Sequence, residues 1–286
     1  MAFNWQTFKT RSLTAAIFVL VMLTGLLWNR WSFFILFSIV HFGSWLEYQK
    51  LVAQFYPGYR RISTVHKLLV MTAGWCMMLF FTNDELFIGN IRLQEAGLWL
   101  GLIFIFILPV ADIISRSISI PNIGYTISGL LYISLPLALL IDMRNRWTEA
   151  HYQLSHTIPL LVIFSLWIND TMAYIVGSLI GKRPLSPISP KKTWEGTVGG
   201  IILTILVISL IAYFTNRLSV THAAILSAIV AISGTYGDLA ESRLKRMAGV
   251  KDSGRIMPGH GGFLDRFDSL LFASVFAWFY STIFIH

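Results

Sequence analysis

TIPLLVIFSLWINDTMAYIVGSLI, residues 157–180, is the stretch that decides the fold. It runs apolar past the ~20 residues that a helix needs to cross the hydrocarbon core of a bilayer, and Asn169 and Asp170 sit near its middle. An Asp in that position costs ~2.5–3.5 kcal/mol on insertion scales, so it needs compensation, and intramembrane carboxylates are functional by default. Helical spacing puts Asp170, Tyr174 and Gly177 on one face, where Gly177 leaves room for a neighbour or a ligand. The plainer alternative is an Asn–Asp pair that bonds two helices together.

Working outward, eight more stretches qualify as spans or come close. The nine centre on residues 12–28, 31–46, 67–82, 96–111, 124–141, 157–180, 197–214, 221–240 and 266–285. The 286-residue chain is 55% hydrophobic and 13% charged, against about 25% charged in soluble domains. Lipid must therefore be the solvent for much of its surface. The runs are too long and continuous for barrel strands, which alternate lipid-facing and lumen-facing residues. An all-α polytopic membrane protein of about nine transmembrane helices is the expectation. The weakest division is between the first two runs, separated only by Asn29 and Arg30.

The net charge of +8 fits nucleic-acid binding or the basic flanks of membrane spans; the second reading is taken, and no nucleic acid is expected as a partner. With the N-terminus in the cytoplasm and the C-terminus outside, seventeen of the 22 Lys and Arg fall on the inner side and only Arg30, Arg92, Arg144, Arg146 and Arg217 on the outer, as the positive-inside rule requires. Lys9 and Arg11 open an apolar run that resembles a signal peptide, but no small-residue cleavage site follows it, so it reads as an uncleaved first span. The segment 47–61 reads either as a plain loop or as a surface segment with Leu51, Phe55 and Tyr56 toward lipid. Cys76, the single cysteine, reads as a small buried residue. Residues 1–156 have the character of a transmembrane scaffold of about five helices. Residues 157–286, about four helices, carry the polar clusters and are expected to be the catalytic region.

Two further polar clusters follow. In Gly181–Gly196, a loop with three prolines leads into a helix, and Lys191 and Lys192 follow Pro190, with Thr193 and Glu195 beyond. Basic side chains and helix-start amides suit a phosphate; a positive-inside flank that merely holds topology is the equal alternative. The densest cluster runs from Asp238 to Asp268. Asp238, Ser242, Lys245 and Arg246 fall at i, i+4, i+7 and i+8, on one face of a helix end. Asp265 and Asp268 open the last span, and one loop returns both helix ends to the same membrane face. Three carboxylates and several cations can therefore converge, and oxygen-only ligation favours Mg²⁺ over zinc. His260, set between glycines, suits phosphate binding or an acid role, and Gly259, Gly261 and Gly262 let the backbone approach an anion. Taken singly, Asp265 could be a helix cap and Glu241–Lys245 a surface pair.

This stretch resembles the signature of the phosphatidate cytidylyltransferases, or CDP-diacylglycerol synthases: Ser242, Lys245-Arg246, Lys251-Asp252, Pro258-Gly-His260-Gly261-Gly262 and Asp265-Arg266-Phe-Asp268. Gly237–Ser242, Ser189–Gly196 and Asn169–Tyr174 are similar to other segments of that family. The resemblance covers about residues 165–270. It implies that CTP and phosphatidic acid react to give CDP-diacylglycerol and pyrophosphate in phospholipid biosynthesis. It also implies Mg²⁺ at Asp238, Asp265 and Asp268, with K⁺ as a second cation in some members, and a homodimer. Asp238, Asp265, Asp268, Lys245, Arg246 and His260 become candidate catalytic residues. Asn169, Asp170, Tyr174, Lys191, Lys192, Thr193, Glu195, Ser242, Lys251, Asp252, Gly261, Gly262 and Arg266 become candidate substrate-binding residues. The expected place is the bacterial inner membrane, with the site facing the cytoplasm, where CTP is found. A transporter using Asp170 and Asp238 as midplane sites is the rival from another class. A CDP-alcohol phosphotransferase is the enzymatic rival, and that family's Asp-Gly-x-x-Ala-Arg pattern is absent.

Overall fold

The computed structural model describes residues 5–115, 119–147, 151–254 and 261–285; for 5–12, 112, 114 and 115 it describes the backbone alone. Eleven α-helices are present among the described residues: α1 Trp5–Leu27, α2 Arg30–Phe55, α3 Pro57–Arg60, α4 Thr64–Phe80, α5 Leu93–Ser115, α6 Ile120–Gly129, α7 Leu135–Asn145, α8 Tyr152–Ile180, α9 Trp194–Thr215, α10 Val220–Met247 and α11 Leu264–Phe284. A π-helical turn, Leu130–Ser134, joins α6 to α7. Two small antiparallel hairpins are also present among the described residues: β1 Phe87–Ile88 with β2 Ile91–Arg92, and β3 Pro184–Ser186 with β4 Ser189–Thr193.

The chain is thus an all-α integral membrane protein with short hairpins between helices. Among the described residues, six helical segments are long and apolar enough to cross a bilayer: Leu93–Ala111, Ile120–Asn145, Tyr152–Ile180, Trp194–Thr215, Val220–Met247 and Leu264–Phe284. Leu13–Leu27 and Thr64–Phe80 are shorter apolar helices. The division at Asn29 is a real helix boundary. The Asn29 side chain accepts from the Ser32 amide at 2.8 Å, and the Ser32 hydroxyl accepts from the Asn29 amide at 3.0 Å, a reciprocal cap that satisfies two orphan donors.

The segment 47–61 differs from expectation. Its first part simply continues α2, which runs to Phe55 before the short α3. Leu51 is 1% exposed and packs in the core instead of facing lipid. That helix forms the centre of the bundle: Phe37, Trp45 and Val52 are buried there with Leu137 and Ile141 of α7 and Leu271 of α11. Trp45 donates its indole N–H to Ser134 on the π-turn at 2.9 Å.

The helices that carry the polar clusters meet along seams of small residues. Gly196 on α9 lies against the Ala173 carbonyl and the Gly177 backbone of α8, and Gly200 lies against Ala173. Gly237 on α10 lies against the Asp268 carbonyl on α11. A side chain at Gly196 or Gly237 would meet backbone, which cannot yield. Small residues permit this close approach between helices in lipid, and it brings Asp170, Asp238 and Asp268 to one cavity.

Candidate active site

A cavity of about 450 Å³ opens where α8, α9, α10, α11 and the β3–β4 hairpin come together. Of the residues singled out from sequence, Asn169, Asp170 and Tyr174 line it from α8, Lys191, Lys192 and Thr193 from β4, Asp238 from α10, and Asp265 and Asp268 from α11. Thr197, Thr235 and Ser269 add hydroxyls that sequence reading passed over, since lone hydroxyls in apolar helices carry no distinguishing pattern. Thr193 also caps α9, its side chain accepting from the Gly196 amide at 3.1 Å.

The carboxylates differ in what holds them. Asp238 pairs with the Lys192 ammonium and accepts from the buried Ser242 hydroxyl at 3.2 Å. Asp268 accepts from the Ser269 amide at 2.6 Å and feels the negative charges of Asp238 and Asp170. No hydrogen bond from another residue to the Asp170 carboxylate is present among the described residues, though the charges of Lys192, Asp238 and Arg266 act on it. Three carboxylates this near one another inside a membrane protein repel, and Lys192 is the cation nearest to hand.

Asp265 is placed otherwise. It borders the cavity, but one of its oxygens accepts from Lys245 at 2.7 Å and the other from the Ser253 amide at 2.9 Å and the Gly262 amide at 2.7 Å. The cap position weighed for Asp265 from sequence falls instead on Phe263, which makes no side-chain cap; Asp265 lies within the first turn and reaches back to the Gly262 amide ahead of the helix. Gly261 takes φ +86° beside that carboxylate, a conformation that favours glycine. Lys245 also pairs with the fully buried Glu241 at 2.6 Å.

Several candidates stand away from the cavity lining. Glu195 accepts from the amides of Lys182 and Arg183 at 3.1 and 3.2 Å, holding the start of the hairpin. Arg246 donates to the Val250 carbonyl at 3.0 Å, and Lys251 and Asp252 are exposed on the loop beyond α10. Arg266 lines a smaller adjoining cavity of about 130 Å³, shared with Asp170, Asp265 and Asp268 and walled by Phe18, Met22, Ile163 and Trp167. His260, with Arg255, Pro258 and Gly259, lies outside the described residues.

Two residues of the first half enter the site region without having been singled out. Glu47, 6% exposed, accepts from the Ser253 hydroxyl at 2.7 Å and from the amides of Phe263 and Leu264, both at 2.9 Å. Tyr132, on the π-turn, buries a hydroxyl with no hydrogen-bond partner among the described residues, in the field of Asp268, Glu241 and Asp238. Glu47 had a signal: a lone carboxylate between Trp45-Leu46 and Tyr48 in a run able to continue a helix. Tyr132 had none, because a π-turn leaves no mark in a 3.6-residue period.

Among the described residues no three His, Cys, Asp or Glu side chains close on one point as a ready cage for a metal ion. The cavity offers oxygen donors: Asp170, Asp238, Asp268 and the buried, unpartnered Oδ1 of Asn169. This set fits a hard cation that takes one or two carboxylates and keeps waters and substrate phosphates, which is the habit of Mg²⁺.

The description Cytidylyltransferase family belongs to the family model that matches residues 9–284. A phosphatidate cytidylyltransferase of Bacillus subtilis is 32% identical over 287 residues, covering 98% of each chain. Proteins of the same name from Staphylococcus saprophyticus and Staphylococcus haemolyticus are each 37% identical over 189 residues, covering 63% of this chain and 70% of theirs.

Proposed function

This chain belongs to the cytidylyltransferase family, and we propose that its polar cavity performs the reaction that its relatives' name describes. The protein is a nucleotidyltransferase that converts CTP and phosphatidic acid to CDP-diacylglycerol and pyrophosphate. A phosphate oxygen of the lipid attacks the α-phosphorus of CTP. The new P–O bond forms as the bond from that phosphorus to the β-phosphate oxygen breaks, and pyrophosphate leaves with the bonding pair.

The nucleophile needs little activation, since a phosphate monoester with a second pKa of about 6 is largely dianionic at neutral pH. The difficulty is bringing two anions together beside carboxylates. Lys191 and Lys192 meet the phosphates from the hairpin, and their charge offsets what develops on the leaving group. Asp238 and Asp268 are the residues that would hold Mg²⁺, with Asp170 and Asn169 beside them and Asp265 at the border. Bound there, Mg²⁺ supplies charge neutralisation across the triphosphate. The smaller cavity, with aromatic and aliphatic walls ending at Arg266, suits the glycerol and upper acyl carbons of the lipid. His260 remains in the reading as an acid or phosphate-binding group, while Lys245 supports Asp265, Arg246 supports the loop after α10, and Ser242, Thr193 and Glu195 support the residues that touch the triphosphate.

The finer topology belongs to the same proposal. Nine spans with the N-terminus in the cytoplasm would put the cavity on the inner face of the bacterial membrane, where CTP is available. The basic residues of the loops support that orientation. A homodimer, and K⁺ as a second cation, rest on the resemblance to the family.

The observation that carries the reading is the convergence of Asp170, Asp238 and Asp268 with two lysines in one cavity. Purified protein with labelled CTP, phosphatidic acid and Mg²⁺ should yield CDP-lipid and pyrophosphate in equal amounts. Chelation should stop the reaction and added Mg²⁺ restore it. Folded protein that forms no CDP-lipid sinks the reading.

A further inference from the structure

Helix α11 carries Asp265 and Asp268, so whatever fixes its first turn fixes the site. The N-terminal amides of a helix need acceptors, and Ser, Thr, Asp or Asn at the cap position normally provide one. This helix has Phe263 there, which makes no side-chain cap. Asp265 reaches back to Gly262, but the amides of Phe263 and Leu264 both turn to Glu47 of α2, each at 2.9 Å. The cap therefore comes from a residue more than two hundred positions earlier.

Glu47 does more than cap. It accepts from Ser253 before the segment 255–260 and from Phe263 and Leu264 after it. Gly254 and Gly262 lie so close that a Cβ on either would overlap its carboxylate. Asp265 holds the same two stems through Ser253 and Gly262. The Ser253 hydroxyl lies 2.7 Å from Glu47 and 2.9 Å from Asp265. One carboxylate comes from outside the signature stretch and one from within it, and both clamp a single serine. A negative charge at the start of α11 also complements the helix dipole.

We propose that Glu47 is a positioning residue of the reaction: it pins both stems of the loop between α10 and α11 and caps α11, so that Asp265 and Asp268 keep their register against Asp238. This rests on the cytidylyltransferase reading for its effect on turnover, and on geometry alone for its effect on the loop. Both Glu47 oxygens accept from backbone amides. An amide side chain can supply one acceptor and must turn a donor toward the other N–H, so Glu47→Gln, equal in size, does not substitute. Glu47→Asp keeps both acceptors on a shorter stem and recovers part of the function.

The test uses the full-length protein in lipid nanodiscs, comparing wild type, Glu47→Gln, Glu47→Asp and Ser253→Ala. Hydrogen exchange of residues 253–266 is read beside kcat, the KM for CTP and the Mg²⁺ concentration giving half-maximal activity. Glu47→Gln is expected to lower kcat by ~10–100-fold, the range seen when groups that orient active-site ligands are lost, and to raise the Mg²⁺ requirement. It should speed exchange in 253–266 while leaving 194–215 unchanged. Glu47→Asp should lie between it and wild type. If Glu47→Gln does not fold, Ser253→Ala carries the test through the same readouts, with a smaller expected change. Wild-type kcat in Glu47→Gln, or faster exchange spread evenly over the bundle, overturns the proposal. Absence of CDP-lipid from wild type overturns the proposed reaction instead, and the exchange pattern still decides whether Glu47 holds the loop.

Discussion

Asp142 and Asp268 are both carboxylates among buried helices, at opposite ends of the bundle, and their surroundings differ. At the end of α7, Asp142 accepts from Asn83 and from the Trp278 indole, each at 2.6 Å, and lies 3.5 Å from Arg146. Arg146 in turn donates to Ser281 at 2.6 Å and to Thr282. Nearby, Arg144 is 1% exposed and donates to Ser155 at 3.1 Å. At the cavity end, Asp268 accepts from its neighbour's amide, and its charged neighbours include two more carboxylates. A buried charge with partners on every side serves architecture. A half-buried charge left facing like charges costs stability, which makes it a candidate for a functional group.

The contrast breaks most easily at Asp268. Asp268→Asn should lower turnover ~10³-fold, about 4 kcal/mol of transition-state stabilisation. The melting temperature should hold or rise, because a repelling charge has gone; a large fall in thermal stability would make Asp268 a structural residue like Asp142. The reverse is expected of Asp142→Ala. Removing one partner of a buried ion pair costs about 3 kcal/mol or more, so unfolding in denaturant should come earlier, with kcat per folded molecule within about twofold of wild type. Lys192→Ala sharpens the picture at the cavity. It should raise the KM for CTP by roughly tenfold, about 1.4 kcal/mol, with a smaller change in the KM for phosphatidic acid. Thr193→Ala should have the smallest effect. It removes the α9 cap, worth about 1 kcal/mol, and should show as a modest loss of thermal stability; a KM change as large as that of Lys192→Ala would assign the hydroxyl to substrate.

Legibility in the sequence followed the same divide. Groups whose meaning is local could be read directly. Asn169 and Asp170 stand out because lipid penalises them, and the cluster from Asp238 to Asp268 stands out because its residues fall on two adjoining helix ends. Lys191 and Lys192 were poised between two readings until the hairpin turned Lys192 onto Asp238. Groups whose meaning depends on distant partners could not be read. Nothing near Glu47 shows that backbone amides of α11 will need it. Leu51 was open to a lipid-facing reading because an amphipathic surface stretch and the end of a central helix share one composition. Lys245 belongs to the signature stretch, yet its role as bridge between Glu241 and Asp265 emerges only when α10 and α11 are side by side.

The span between Glu47 and Ser253, 206 positions, has a consequence for the making of the protein. Ribosomes add about 5–20 residues each second, so the Glu47 carboxylate waits roughly 10–40 s after its own synthesis before the groups that bind it exist. During that interval it must remain hydrated or share a passing donor while the intervening helices enter the membrane. A chain stopped before the last helix would contain much of the cavity's wall but neither the α11 amides that Glu47 binds nor Asp268, so on the proposed reaction it would be inert until that helix is inserted.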